Sequence, residues 1–116
     1  MLNPMVEYNI ARLDATLSAL ADPTRRAILA NLAAGERRVT EIAAPFEMSL
    51  NAVSKHIKVL EGAGLVRRRR VGREHFLSIG AAPINEAAAW FDAQRTFWNA
   101  RLDTFENLIR EEADNE

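Results

Sequence analysis

A mainly α-helical domain with one small β-hairpin is the fold class this sequence predicts, and three observations predict it. Apolar residues recur at three- and four-residue spacing through most of the chain, the signature of amphipathic helices. One stretch, "LVRRRRVGREHFLSI" at 65–79, reads instead as two extended runs around Val71 and Gly72. The third is length: 116 residues make one domain with a single core, so residues 1–116 are read as one unit.

The elements follow in order. A first helix is expected over 9–20, where Ile10, Leu13, Leu17 and Leu20 share a face. Asp22 is a good N-cap for the second, with Pro23 at its first position, Ile28, Leu29 and Leu32 as its stripe, and Gly35 past its end. Thr40 is read as the cap of a short third helix, "EIAAPF", which Pro45 keeps short. Ser49 caps a fourth helix reaching about residue 61, where Gly62 and Gly64 stop it. At about 100° per residue, Leu50, Val53, Ile57 and Leu60 fall on one face of that helix and are read as core. Asn51, Ser54, Lys55 and Lys58 fall opposite with no acid among them, and His56 lies at the edge of the apolar stripe. After the hairpin, Pro83 opens a last helix reaching about residue 112, roughly 40 Å long at 1.5 Å per residue. Phe91, Trp98 and Phe105 lie along one line of it, Leu102 and Ile109 along the next, with Trp90 and Phe97 widening the stripe. No internal repeat or low-complexity segment interrupts the series.

Composition removes several function classes. The chain has no cysteine, which excludes disulfides, zinc fingers and thiol chemistry and fits a reducing cytoplasm. No apolar run approaches the roughly 20 residues of a membrane span, and the first residues lack the apolar core of a secretion signal. A cytoplasmic location is therefore expected. The net charge is only −1, but it is unevenly divided. Residues 49–76 hold two lysines and five arginines against Glu61 and Glu74, a net of +5, whereas residues 83–116 carry a net of −5. Local charge governs the field at a patch, so this division points to a polyanion site on one face.

Helix, turn, helix and a basic hairpin make a winged helix-turn-helix. An α-helix fits the major groove of B-DNA, where base edges display donors and acceptors. Asn51, Ser54 and Lys55 are short enough, and close enough to the helix start, to approach them. Arginines on the hairpin reach the neighbouring minor groove or its phosphates. His56 either packs and caps or touches phosphate, and His75, on a strand, reads as structural or exposed. An enzyme is not indicated: Ser54 and His56, two apart on a helix, point away from each other, and the chain has neither a phosphate loop nor a metal-ligand set. A winged-helix module that binds protein is the competing reading, and it calls for an acidic or apolar fourth-helix face. RNA binding calls for exposed aromatics, and the basic segment offers only Phe76.

The segments "LADPTRRAILANLAAGE" and "VTEIAAPFEMSLNAVSKHIKVLEGAGLVRRRRVGREHFLSI" resemble the ArsR-type (arsenical-repressor-like) winged-helix regulators of bacteria over about residues 10–112. The resemblance implies a homodimeric repressor of double-stranded DNA, joined through its first and last helices. It places Ser49, Asn51, Ser54, Lys55 and Lys58 toward the groove and Arg68, Arg70 and Arg73 on the wing. Many relatives sense metals through a Glu-Leu-Cys-x-Cys motif in the third helix; here Ala43 and Pro45 stand where the cysteines would. The last helix has no histidine, and Asp92, Asp103 and Glu106 alone suit a transition metal poorly. The chain is thus similar to a cysteine-free branch, with no metal or cofactor expected and no effector implied.

The last helix also carries more apolar surface than a domain of this size can cover. The core is expected to bury one stripe of it. A second copy of the chain is expected over the rest, across Trp90, Phe91, Phe97, Trp98, Leu102, Phe105 and Ile109, with Leu13 and Leu17 of the first helix beside them.

Overall fold

The structure, a computed structural model, describes residues 4–115; residues 1–3, part of the stretch read for a secretion signal, lie outside it. In chain order the elements are α1 (Pro4–Leu20), α2 (Pro23–Leu32), β1 (Arg37–Arg38), α3 (Val39–Ala43), α4 (Leu50–Gly62), β2 (Val66–Val71), β3 (Glu74–Ile79) and α5 (Ala81–Asp114). The fold is mainly α with a small antiparallel sheet, as expected. No described helix is long and apolar enough to cross a membrane.

Two of the three predicted N-caps form, those of Asp22 and Ser49. The Asp22 carboxylate accepts from the Arg25 backbone N–H at 3.0 Å and opens α2. The Ser49 hydroxyl accepts from the Ala52 N–H at 3.1 Å and opens α4. Gly64 ends α4 with a φ of +76°, in the left-handed region that L side chains resist. Its N–H donates to the Glu61 carbonyl while that of Leu65 donates to Leu60, the paired bonds of a Schellman close. That close turns the chain directly into β2. Gly72, with φ +59°, then makes a two-residue turn with Arg73, pairing Val71 with Glu74; positive φ at the first central position alone is the type II′ pattern.

Several boundaries and one strand differ from the sequence expectation. α1 begins at Pro4 rather than residue 9, since proline is tolerated in a first turn. α3 begins at Val39, so Thr40 lies inside it; the backbone N–H of Arg38, the N-cap residue, donates to the Glu41 carboxylate at 3.3 Å. β1 is a third strand, pairing Arg37 with Leu77 and Arg38 with Phe76 to give the order β1-β3-β2. Two residues are too short to show a period, which is why the pattern does not reveal it. α5 starts two residues before Pro83 and ends at Asp114.

The core lies between α2, α3, α4 and the sheet, around fully buried Ile28, Ile42, Val53, Ile57, Leu60, Leu65 and Leu77. Leu50, expected to face the core, is exposed, as is Ile10 of α1. α5 departs further. Only Pro83 and Ala87 of it are buried, so the core covers the first turns and not a full stripe. An ion pair from Arg12 to Glu86 at 3.1 Å ties α1 to that first part.

Candidate nucleic-acid interface

Two surfaces of opposite geometry meet at the candidate site: the convex face of α4 and the flat ribbon of β2–β3. On α4, burial of Val53, Ile57 and Leu60 fixes the rotation of the helix and turns Asn51, Lys55 and Lys58 outward, with Ser54 half-buried at the flank toward the wing. Neither lysine pairs with an acid among the described residues. Ser49 is exposed, but its hydroxyl is committed to the cap.

His56 takes a different position. Its Nδ1 lies 3.3 Å from Arg25 Nη1 and 3.8 Å from Asp22 Oδ2. A guanidinium can only donate, so in the contact with Arg25 the ring nitrogen is the acceptor. The same Arg25 donates through Nε to the Ala19 carbonyl at 2.7 Å and through Nη2 to Ser18 at 3.2 Å. His56 thus faces the α1–α2 junction and ties α4 to the carbonyl end of α1. The Arg25 N–H holds the Asp22 carboxyl below its usual range, with the Arg25 charge adding to the effect.

On the wing, strand alternation sorts the arginines. Arg68 and Arg70 share a face with buried Val66 and look toward α4, while Arg67 and Arg69 point the other way. Two of the four are neutralised by acids from other elements. Arg68 Nη2 donates to Glu61 Oε1 at 2.6 Å and Nε to both carboxylate oxygens at 3.2 Å, with Nη1 3.0 Å from His75 Nδ1. The Glu61 hydrogen bond raises the Arg68 pKa above its ordinary value. Arg69 donates to Glu36 at 2.6 Å, and that bond lowers the Glu36 carboxyl below its usual range. Arg69 also lies 4.8 Å from the Phe76 ring centroid, with Arg38 at 5.7 Å on the neighbouring strand, so half-buried Phe76 is flanked by two cations. Arg67, Arg70 and Arg73 remain without an acid partner among the described residues; Arg70 Nε donates only to the Gly72 carbonyl at 3.1 Å.

Between α4 and the wing lies a cleft of about 380 Å³, walled by Thr40, Leu50, Ser54, Arg68, Arg73 and His75 among others. Sequence reasoning does not single out Thr40 and Leu50 for this site. Nor does it find Glu61 and Glu36, although the period-2 alternation from Val66 does place Arg68 on the side of Glu61. Among the described residues no three His, Cys, Asp or Glu side chains gather as a metal site would require.

A family model for a helix-turn-helix domain matches residues 20–69. The chain is 40% identical over 102 residues to the HTH-type transcriptional regulator Rv2034 of Mycobacterium tuberculosis, covering 88% of this chain and 92% of that protein. The crystal structure of an ArsR family transcriptional regulator superposes with a TM-score of 0.73 at 39% identity, over 77% of this chain and 92% of the other. A homodimeric winged helix-turn-helix DNA-binding domain from Mycobacterium bovis superposes with a TM-score of 0.64 at 27% identity, over 88% of this chain and 92% of that one.

Proposed function

From the premise that this chain belongs to the ArsR family of winged-helix transcriptional regulators, we propose that it represses transcription as a homodimer occupying an inverted-repeat operator. The observation that carries the reading is the acid-free outer face of α4, set beside a wing that keeps three arginines without an acid partner among the described residues. In this arrangement Asn51, Ser54 and Lys55 meet base edges in the major groove, and Lys58 meets phosphate at its rim. The sugar-phosphate strand passes the wing tip, where Arg73 stands at the rim of the cleft between α4 and the wing. Arg70 and Arg73 follow that strand into the minor groove. His56 acts behind the interface, fixing α4 to the α1–α2 junction. A two-fold dimer presents its recognition helices one or two turns of DNA apart, about 34 Å or a multiple of it. The homodimeric state described for the Mycobacterium bovis neighbour supports that geometry.

Selection of bound duplexes from random DNA tests the reading, and an inverted repeat is the expected product. On the selected site, combining Ser54→Ala with Lys55→Ala should cost about 1–3 kcal/mol for each base interaction removed, with a far smaller effect on random DNA. Equal effects on both would show that this face meets only phosphate.

A further inference from the structure

We propose that Arg68 is a positioning residue that sets the angle of the wing against α4, rather than a contact to DNA; the proposal rests on the DNA-binding reading above. Its guanidinium is held through three N–H···O hydrogen bonds to Glu61, the shortest 2.6 Å, and approaches His75 at 3.0 Å. Both members of the ion pair have side chains only 29% exposed, against 58% for Arg69 on the opposite face. A charge already neutralised by a carboxylate displaces few counterions from DNA, so it adds little to the electrostatic part of binding.

The location supplies the role. Glu61 lies in the last turn of α4, and Arg68 lies on β2, three residues past the turn through Ala63, Gly64 and Leu65. The hairpin is anchored in the core at Val66 and Leu77, whereas Arg70, Val71, Gly72, Arg73 and Glu74 at its end are all exposed. Arg68 therefore makes the outermost ion pair between the ribbon and the recognition helix. A bidentate guanidinium–carboxylate pair is planar and directional, which suits it to hold two elements at a fixed angle. His75, cross-strand from Arg70, extends the joint to β3.

Glu61→Gln separates this role from phosphate contact by the sign of its effect. With the ion pair broken, the wing loses its fixed angle, and affinity for the selected operator should fall about tenfold, the scale of coupling between touching residues. Affinity for random DNA should hold or rise. If Arg68 were instead a phosphate ligand restrained by Glu61, the same change would strengthen binding to every duplex. The reversed pair, Glu61→Arg with Arg68→Glu, should recover most of the operator affinity that either single variant forfeits. Failure to recover, with a melting temperature near wild type, would overturn the proposal, because a glutamate facing phosphate repels it. Arg70→Ala is the control: it should lower the salt dependence of binding where Glu61→Gln does not. A wild type without operator preference would count against the DNA-binding reading, independently of the pair.

Discussion

Leu50 and Ile57 stand seven residues apart on the same side of α4, and the fold treats them oppositely. Ile57 is fully enclosed, whereas Leu50 is 52% exposed. Truncating Ile57 to alanine removes packed atoms and leaves a cavity, which should cost about 2–5 kcal/mol. Leu50→Ala removes little from the core and should change stability by less than about 0.5 kcal/mol. Urea melts of the two variants check this, and comparable destabilisation would mean that the first turn of α4 is packed after all. Helical periodicity places both residues on the same side of the helix. It carries no information about where along that side the core ends, so it reads Leu50 as buried. The arginines show the same limit. Composition reveals a basic cluster, but the acids that neutralise Arg68 and Arg69 come from Glu61 and Glu36, the latter 33 residues earlier in the chain. Cap chemistry is far more legible, because Asp22 and Ser49 act within three residues of themselves.

Between elements, the wing divides its labour by face and by distance from the core. The base carries Val66 and Leu77 in the core, the middle carries the pairs Arg68–Glu61 and Arg69–Glu36, and the tip carries Arg70 and Arg73. Replacing both tip arginines with alanine should weaken binding to all duplexes. It should also reduce the slope of log affinity against log salt by about 0.9 for each phosphate interaction removed. Arg69→Ala, which removes a charge already paired with Glu36, should leave the slope nearly unchanged. A slope insensitive to Arg70 and Arg73 would return the tip to ordinary solvated surface. The hairpin itself is readable from its Val-Gly turn and its two extended runs. β1 is not, for it exists only because β3 offers it a free edge at Phe76 and Leu77.

At the scale of the whole molecule, the described chain measures 74 × 37 × 22 Å with a radius of gyration of 20.4 Å, where a compact domain near this length has about 13 Å. The excess is α5, which spans 34 residues while burying only Pro83 and Ala87. Trp98, Leu102 and Phe105 are 58%, 59% and 62% exposed, in one stripe continuous with the buried start of the helix. So long an apolar stripe calls for a partner, and the sequence already displays the surplus, although it overstates the share the core takes. Under the proposed function a second copy is the cover, with α5 meeting α5 across a two-fold axis and half-buried Leu13 and Leu17 of α1 beside them. Obligate interfaces of this kind bury on the order of 2,000 Å² or more. Replacing Trp98 and Leu102 with glutamate puts unpaired charges into that seam, at a cost of about 3–5 kcal/mol. Because neither side chain packs on its own core, the variant should keep its helical circular dichroism while sedimenting as a monomer. Its operator affinity should fall with dimerisation, since a lone half-site forfeits the advantage of linked binding. A wild type that sediments as a stable monomer at micromolar concentration would remove both the α5 seam and the two-fold operator.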